Sequence, residues 1–385
     1  MQLEVLPLSE LIYLDNSATT AVCPTAIEYI NSALINYGNP SSLHVMGMVA
    51  EDELIKTRNA VSSVLGCKSD EIYFTSGGTE ANNTSILGAV YARRKRGNRI
   101  VTTAIEHPSV LEVCARLEEE GFEVIRLTPD ENGSISESAL SDAINDNTIL
   151  VSLMLVNNET GAILPVRVAR EIIKRKNAPA LLHCDAVQAF GKVPCSVSKL
   201  GVDLLSASAH KINGPKGIGF LYKSKNVHIK PLILGGGQES GLRSGTESVP
   251  LIAGLRGALE EMPSCDKFLS HTAALREIAI EKLTAAGIAE INSPENAAPY
   301  ILNFSVNGYR SETLLHFLES KSIFVSSGSA CAKGKGSHVL RAMGLPQQRV
   351  DSALRISFGR YNKAEDIDML VSALIEATQK LRGRK

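Results

Sequence analysis

The sequence has few cysteines and pairs none of them in a short motif. It contains seven cysteines in 385 residues, far apart and without a Cys-x-x-Cys pair. An odd number of widely spaced cysteines argues against a disulfide framework and against a zinc knuckle. We therefore expect reduced thiols in a cytoplasmic protein, and we expect no metal site.

The sequence also lacks an excess of either charge and lacks long apolar runs. Lys and Arg number 40 against 41 Asp and Glu, so the formal net charge is −1 and no broad basic field attracts nucleic acid. The longest apolar run, Thr148–Val156, is too short to span a bilayer. The first residues lack the basic segment of a secretion signal. Neither a nucleic-acid partner nor a membrane partner is predicted.

What is present is the composition of a folded protein, with 44% apolar and 21% charged residues. Short β-rich runs alternate with helical patterns through the first two thirds of the chain. The predicted strands are Glu71–Phe74, Arg99–Thr103, Glu123–Leu127, Ile149–Val156, Ala180–Cys184 and Ile218–Tyr222, and the predicted helices are Ala81–Arg94, Ser109–Glu120 and Val166–Lys176. This alternation predicts an α/β layered sheet that binds ligands beyond the carboxyl ends of its strands.

The last third of the chain has a different character. A long helical pattern is followed by shorter strands and helices, which predicts a smaller α+β domain. Its predicted elements are a helical stretch at Val249–Gly287, a strand at Tyr300–Ser305, a helix at Ser311–Lys321, a strand at Ile323–Val325 and a helix at Lys363–Leu381.

Lys211 is the first candidate for chemistry. It follows the strand-like segment Val202–Leu205 and precedes a turn rich in glycine and proline. A lysine at the rim of a sheet can lose solvation, which lowers its pKa and suits it to Schiff-base formation. Taken alone, an ordinary surface lysine is the more common case.

Asp185 lies at the end of another buried-looking strand. Pyridoxal phosphate needs a carboxylate beside its ring nitrogen, because the protonated ring is the electron sink. An Asp in this place can equally cap the following helix. The carboxylate is therefore informative only together with Lys211.

The segment Phe74-Thr-Ser-Gly-Gly-Thr79-Glu-Ala-Asn82 places a Gly-rich turn between a predicted strand and a predicted helix. Backbone N–H groups at such a helix N-terminus bind phosphate, although the spacing is neither that of a Walker loop nor that of a dinucleotide fingerprint. His107 and Asn158 follow two other strands in the same way, and a core or capping histidine is the simpler interpretation of His107. In a parallel sheet all these groups converge.

Taken together, these segments resemble the cysteine desulfurases of the NifS/IscS type, which belong to the class V aminotransferase family. The resemblance extends almost from end to end and rests on ordered matches. They are Tyr13-Leu-Asp-Asn-Ser-Ala-Thr-Thr20, Gly38-Asn-Pro-Ser-Ser-Leu-His44, Thr75-Ser-Gly-Gly-Thr-Glu80, Glu106-His-Pro108, Val156-Asn-Asn-Glu159, Asp185-Ala-Val-Gln188, Ser208-Ala-His-Lys211, Gly235-Gly-Gly-Gln-Glu239, Arg243-Ser-Gly-Thr246, Ser326-Ser-Gly-Ser-Ala-Cys331 and Leu354-Arg-Ile-Ser357.

The resemblance implies a pyridoxal 5'-phosphate cofactor and a role for each matched residue. Lys211 would hold the cofactor as a Schiff base and move the substrate proton, and Asp185 would pair with the ring nitrogen. Gln188 and Asn158 would bind the side of the ring hydroxyl, and His107 would stack over the ring and transfer protons.

The phosphate would be held by residues from three segments, namely Gly78, Thr79, Ser208 and His210, with Thr246 supplied to the cofactor of the opposite subunit. The last of these implies a homodimer with shared active sites.

Two further residues would act on the substrate. Arg355, together with Asn158, would bind the carboxylate of L-cysteine, for which the planar guanidinium is suited. Cys331 lies in a segment of small and basic residues without apolar periodicity, which favours an exposed thiol. It would take the sulfur as a persulfide and leave L-alanine. The other six cysteines are given no function.

The implied fold is that of the aspartate aminotransferase-like PLP-dependent transferases of type I. Its large domain has a mostly parallel seven-stranded sheet between helices, and a smaller α+β domain completes it. We place the PLP-binding domain at residues 15–260 and the small domain, with the cysteine loop, at 1–14 and 261–385.

Several alternatives stay open at this point. A selenocysteine lyase or another class V aminotransferase would share most of these residues, although a plain transaminase needs no thiol. A non-catalytic scaffold would not need Lys211, Asp185, His107 and Cys331 together. The sulfur acceptor would be an iron–sulfur scaffold or a tRNA-thiolation enzyme.

Overall fold

The computed structural model describes residues 11–327 and 336–381, so Cys331 lies outside the described residues. The strands are β1 Ile12–Tyr13, β2 Ile72–Thr75, β3 Arg99–Thr103, β4 Glu123–Leu127, β5 Thr148–Met154, β6 Leu181–Asp185, β7 Leu204–Ser208, β8 Gly219–Lys223, β9 Glu290–Ile291, β10 Ile301–Ser305, β11 Ile323–Phe324 and β12 Ala353–Ser357. The helices are α1 Pro24–Ile35, α2 Val45–Leu65, α3 Gly78–Arg93, α4 Pro108–Glu119, α5 Glu137–Ala143, α6 Val166–Arg175, α7 Val197–Leu200, α8 Val249–Glu260, α9 Cys265–Ala285, α10 Ser311–Glu319, α11 His338–Ala342, α12 Gln347–Asp351 and α13 Ala364–Lys380. No helix within the described ranges has both the length and the apolar character needed to cross a membrane.

The central element is a seven-stranded sheet, counted over the described residues. Its strand order is β2-β8-β7-β6-β5-β3-β4. Strand β8 runs antiparallel to both of its neighbours, and the other neighbouring pairs are parallel. The predicted mostly parallel seven-stranded sheet is confirmed.

Helices cover both faces of this sheet, which explains why every residue of β5, β6 and β7 is buried. Adjacent residues of a strand point to opposite faces. Leu181 accordingly packs in the hydrophobic cluster that includes α3 and α4, whereas Leu182 packs in the cluster that includes α6. Both faces of the sheet are therefore buried, and its carboxyl-end rim is where polar residues can collect.

A second hydrophobic cluster lies in the C-terminal part of the chain. Helices α9, α10 and α13 pack there against the three-stranded sheet β12-β10-β9. Strand β1 pairs in parallel with β11, and Leu14 is buried in the same cluster. The N-terminal strand thus packs with C-terminal elements, while the domain boundaries themselves stay a prediction.

The long helical stretch expected at Val249–Gly287 is two helices. Helix α8 ends at Glu260 and α9 begins at Cys265, with Pro263 between them. Proline has no N–H and its ring clashes with the preceding turn, so the helix cannot continue through it. The break lets α8 pack with the central sheet and most of α9 with the second cluster.

Candidate active site

A cavity of about 410 Å³ lies at the carboxyl ends of the central strands. Ten of the residues singled out from the sequence line it, namely Gly78, Thr79, His107, Asn158, Asp185, Gln188, Ser208, His210, Lys211 and Arg355. Thr246 is exposed and does not line this cavity. The parallel strands bring the other residues together because their carboxyl ends share one rim of the sheet.

Lys211 lies in a short 3₁₀ turn directly after β7. The side chain is half-buried, and its ammonium donates hydrogen bonds to the carbonyl oxygens of Ser17 and, at 2.7 Å, of Ala18. Lys211 is therefore not an ordinary surface lysine. The amine must release these carbonyls before it can react with an aldehyde.

Asp185 is the last residue of β6 and is buried. Its Oδ1 accepts the backbone N–H of Val187 at 2.9 Å, and its Oδ2 accepts the side-chain amide of Asn82 at 2.7 Å. The carboxylate therefore supports the turn that follows the strand, as the capping interpretation expected, and it also lines the cavity.

His107 is the N-cap of α4. Its Nδ1 accepts the backbone N–H of Ser109 at 3.1 Å and lies 2.8 Å from Ser109 Oγ. Burial lowers the pKa of the imidazole, Asp185 opposes this, and the nearby Lys211 and His338 lower the pKa further. His107 is thus a capping histidine that also lines the cavity.

The end of the cavity near α3 suits an anion. Gly77, just before the helix, has φ of 153°, a conformation that strongly favours glycine. A side chain at Gly78 would clash, since its Cβ would lie 2.6 Å from Val187 Cγ2. The helix N-terminus is therefore open to a bound group, and Ser208 lies nearby at the end of β7.

His210 is a neutral member of the same rim. Burial, followed by the positive charges of Lys211, Lys216 and Lys192, lowers its pKa to about 4. Its Nδ1 lies 3.2 Å from Thr19 Oγ1. Near neutral pH it therefore contributes hydrogen bonds and no charge.

Arg355 forms the opposite wall, from the middle of β12. Its Nη1 donates to the carbonyl oxygen of Asn158 at 2.8 Å, and its Nη2 pairs with Asp15 Oδ1 at 2.7 Å. These contacts hold the guanidinium rigidly at the cavity. A substrate carboxylate would share it with Asp15.

The chain on either side of residues 328–335 is fixed to this wall. Ser326 pairs with Arg355 through two backbone hydrogen bonds of 2.7 and 3.0 Å. On the other side, the Ser337 hydroxyl donates to the buried carboxylate of Glu159, and His338 Nε2 lies 3.1 Å from the carbonyl oxygen of Glu106. Both flanks of the segment that contains Cys331 thus line the cavity.

Several polar residues that line the cavity were given no role from the sequence. They are chiefly Asp15, Ser17, Asn82, Ser109, Glu159 and His338. Asn82 carried only a weak signal, because it stands in the predicted helix beside a second amide, Asn83, and the sequence does not say which of the two is buried. The others act through contacts between distant parts of the chain, which local patterns do not reveal.

Glu106 is a buried carboxyl group directly before His107. Its Oε1 accepts the Thr103 hydroxyl at 2.8 Å and the Met154 N–H at 3.0 Å, while Oε2 has no hydrogen-bond partner among the described residues. Burial raises its pKa from the ordinary 4.5 to about 8. Near pH 7 this carboxyl group is mainly neutral.

Glu106→Gln is expected to become more stable, relative to the native protein, as the pH rises. The unfolded chain loses the Glu106 proton near pH 4.5 and the folded protein near pH 8, so its stabilising contribution is full below pH 4.5 and is lost as the pH rises through about 8. The glutamine variant has no such loss. Its free energy of unfolding, relative to that of the native protein, is therefore expected to increase by on the order of 4 kcal/mol between these two pH values. Urea unfolding at about pH 5 and about pH 9 measures the difference. The exposed Glu112→Gln is the matched control on α4, and an equal pH dependence of Glu106→Gln and native protein would contradict the prediction.

The polar groups of the cavity match the parts of pyridoxal phosphate, the cofactor expected from the sequence. An amine suits its aldehyde, the Asp185 carboxylate suits its ring nitrogen, and the N-terminus of α3 suits its phosphate. Several lining side chains also carry a buried polar atom without a hydrogen-bond partner in the described part of the chain. These atoms are Ser17 Oγ, Asn82 Oδ1, Gln188 Oε1 and Arg355 Nε. The residues present fit this cofactor.

Comparison with known proteins agrees with the fold. The family model "Aminotransferase class-V" matches residues 12–370. A protein named cysteine desulfurase IscS from Methanosarcina thermophila is 42% identical over 383 residues, which covers 97% of this chain and 94% of the relative.

Two solved structures are similar over most of the chain. One is a NifS-like protein with 40% identity and a TM-score of 0.90, covering 96% of this chain and all of that one. The other, described as SspA in complex with cysteine, has 34% identity and a TM-score of 0.81, covering 91% of this chain and 99% of that one. With the family model spanning nearly the whole sequence and a rim that fits the cofactor, the chain belongs to the class-V aminotransferase family.

Proposed function

We propose that this protein is a cysteine desulfurase, which removes sulfur from L-cysteine, leaves L-alanine and holds the sulfur as a persulfide on Cys331. One observation carries the proposal. Lys211 and Asp185 line the same cavity as residues on both sides of the segment that contains Cys331. Relatives that share about 40% of the sequence are named cysteine desulfurase, which supports the same reaction.

Pyridoxal phosphate, the cofactor of this family, supplies an electron sink that weakens the bonds at the substrate α-carbon. Asp185 would hold the ring nitrogen, since its Oδ2 and Oδ1 are fixed by donors from Asn82 and Val187. Lys211 Nζ would anchor the cofactor and move the proton of the substrate α-carbon. Gln188 Oε1, which has no hydrogen-bond partner among the described residues, would accept a hydrogen bond from the ring hydroxyl.

Arg355 and Asn158 orient the substrate. The guanidinium lies against Asp15 and the Asn158 carbonyl, which prevents it from turning away. A carboxylate that approaches its buried Nε side gains a charge-assisted hydrogen bond. This places the amino acid with its side chain free to face a nucleophile.

Cys331 provides that nucleophile. Its thiolate sulfur bonds to the substrate sulfur while the bond from that sulfur to the β-carbon breaks. The electron pair of the broken bond stays with the carbon, which takes up a proton and becomes the methyl group of L-alanine. Cys331 is four residues beyond Ser327, and an extended chain of that length spans at most about 14 Å. The cysteine is therefore within reach of the cavity.

The protein acts as a homodimer in this proposal. Helices α1 and α2 and the loop between them expose an unusually apolar surface, in which Ile35, Tyr37, Leu43 and Val45 are 77%, 80%, 98% and 74% exposed. Leu234 is 78% exposed on the loop that leads to Thr246. A second copy would cover these side chains and bring Thr246 to the partner's phosphate.

The persulfide is then passed to a sulfur acceptor in the cytoplasm, either an iron–sulfur scaffold or a tRNA-thiolation enzyme. Alternative activities are those of a selenocysteine lyase and of a plain transaminase. Their common requirement is Lys211 and Asp185, whereas the desulfurase needs Cys331 as well.

The products distinguish these activities. With L-cysteine and a reducing thiol, the protein is expected to release alanine and sulfide in equal amounts and to form no keto acid from the substrate. L-selenocysteine is run beside it to compare the two kcat/KM values. Keto-acid production without sulfide would contradict the proposal, and so would activity restricted to selenocysteine.

A further inference from the structure

We propose that Asn82 is a positioning residue that controls Asp185 and His107 together, through one side-chain amide and with Ser109 as an intermediate. The inference rests on the proposed function only for its catalytic consequence. Its geometric part concerns this chain's own side chains and can be tested without any turnover.

The amide of Asn82 has two hydrogens, and each one has an acceptor. Nδ2 donates to Asp185 Oδ2 at 2.7 Å and to Ser109 Oγ at 2.9 Å. Asn82 is only 1% exposed, so water does not compete for these hydrogens. A reversed amide would place Oδ1 against the carboxylate, which electrostatics disfavour, so the orientation of the amide is determined.

This orientation decides the direction of the next hydrogen bond. Ser109 Oγ accepts from Asn82, so its own hydrogen is left to donate, and His107 Nδ1 lies 2.8 Å away. The same Nδ1 also accepts the Ser109 backbone N–H at 3.1 Å. With two donors directed at it, Nδ1 cannot carry a proton. His107 is therefore held as the neutral tautomer that is protonated at Nε2.

The consequence is that one residue sets the state of two groups at the cofactor. Asp185 is oriented by a hydrogen bond from the Asn82 amide. His107 is kept neutral although the Asp185 carboxylate would favour its protonated form, while Lys211 and His338 oppose protonation. The neighbouring Glu106 side chain adds little negative charge near pH 7. An imidazole held in this way can stack over an aromatic ring and donate a proton from Nε2 alone.

The test combines Asn82→Ala, Ser109→Ala and the isosteric Asn82→Asp in the full-length protein. Histidine side chains labelled with ¹⁵N report the tautomer and the pKa of His107, assigned with His107→Asn. The affinity for pyridoxal phosphate is measured by titration. Asn83→Ala is the matched control, since Asn83 is adjacent on α3 and donates to the carbonyl oxygens of Thr79 at 2.9 Å and of Ser109 at 3.4 Å, without a hydrogen bond to Asp185 or to the Ser109 hydroxyl.

We expect native protein and Asn83→Ala to show one Nε2–H tautomer of His107 near neutral pH. In both Asn82→Ala and Ser109→Ala the Ser109 backbone N–H still donates to Nδ1, so the tautomer should persist, whereas the loss of the second donor should raise the His107 pKa. Asn82→Ala should also weaken cofactor binding by about 10-fold and lower kcat with little change in the KM for L-cysteine, because it removes a hydrogen bond to a charged group. Ser109→Ala should weaken cofactor binding less, since Asp185 keeps its donor. Asn82→Asp should be the most damaging, because a carboxylate would face Asp185.

Absence of the Nε2–H tautomer in native protein, or an unchanged His107 pKa in both alanine variants, would overturn the proposal. So would cofactor binding that changes less than about twofold in a folded Asn82→Ala protein. If Asn82→Ala does not fold, Ser109→Ala still tests the effect on His107. Because the tautomer is read without substrate, failure of the desulfurase assignment and failure of this inference give different results.

Discussion

Lys211→Ala is expected to lower the desulfuration of L-cysteine by about 10⁴-fold or more, because the variant loses both the covalent anchor of the cofactor and the group that moves the substrate proton. The visible absorbance band that arises from the lysine–cofactor bond should disappear at the same time. Activity is measured as alanine released, and the band is measured on the purified protein after addition of pyridoxal phosphate.

Lys216→Ala is the matched control for this change. Lys216 lies in the same Gly- and Pro-rich turn, five residues beyond Lys211, but it is exposed. It should keep both the absorbance band and the activity. Retention of the band in Lys211→Ala would mean that another amine binds the cofactor, and the assignment of Lys211 would then be wrong.

The second large effect is expected for Cys331→Ala. Sulfide release from L-cysteine should fall by about 10³-fold, since the acceptor of the sulfur atom is removed, while the lysine–cofactor absorbance band stays intact. Mass spectrometry of the native protein after reaction with L-cysteine, without a reducing thiol, should find one added sulfur atom on the peptide that contains Cys331.

Cys265→Ser provides the control for this result. Cys265 is only partly buried, and this burial raises the pKa of its thiol and disfavours the reactive thiolate. It should leave sulfide release unchanged and carry no added sulfur. If Cys331→Ala released sulfide at the native rate, the persulfide would have to form elsewhere or not at all.

Part of the candidate site could be predicted from local sequence patterns. Lys211 and Asp185 each follow an apolar strand, and a parallel sheet brings such positions to one rim, so local patterns were enough to predict that they meet. The Gly-rich turn before α3 was predictable for the same reason. The six strands predicted in the first two thirds of the chain were placed to within about two residues, because they are short β-rich runs between helical patterns.

The remaining contacts depend on which faces pack together. Asn82 meets Asp185 only because the buried face of α3 lies over β6 and β7, and the sequence of α3 does not say which of its polar residues lies on that face. The pairing of Arg355 with Asp15 joins residues 340 positions apart. The break at Pro263 could be anticipated from the proline, but the packing of α8 and α9 on different clusters could not.

The anchoring of Ser326 and Ser337 on either side of the cysteine segment has a kinetic consequence. In the proposed reaction, the Cys331 thiol is covalently joined to these two anchored residues and would meet the bound substrate as an intramolecular partner, at an effective concentration in the millimolar range or above. Dissolved thiols at lower concentrations would then compete poorly for the same sulfur atom. The attachment itself, and not only the intrinsic reactivity of the thiol, would direct sulfur to the protein before any external acceptor.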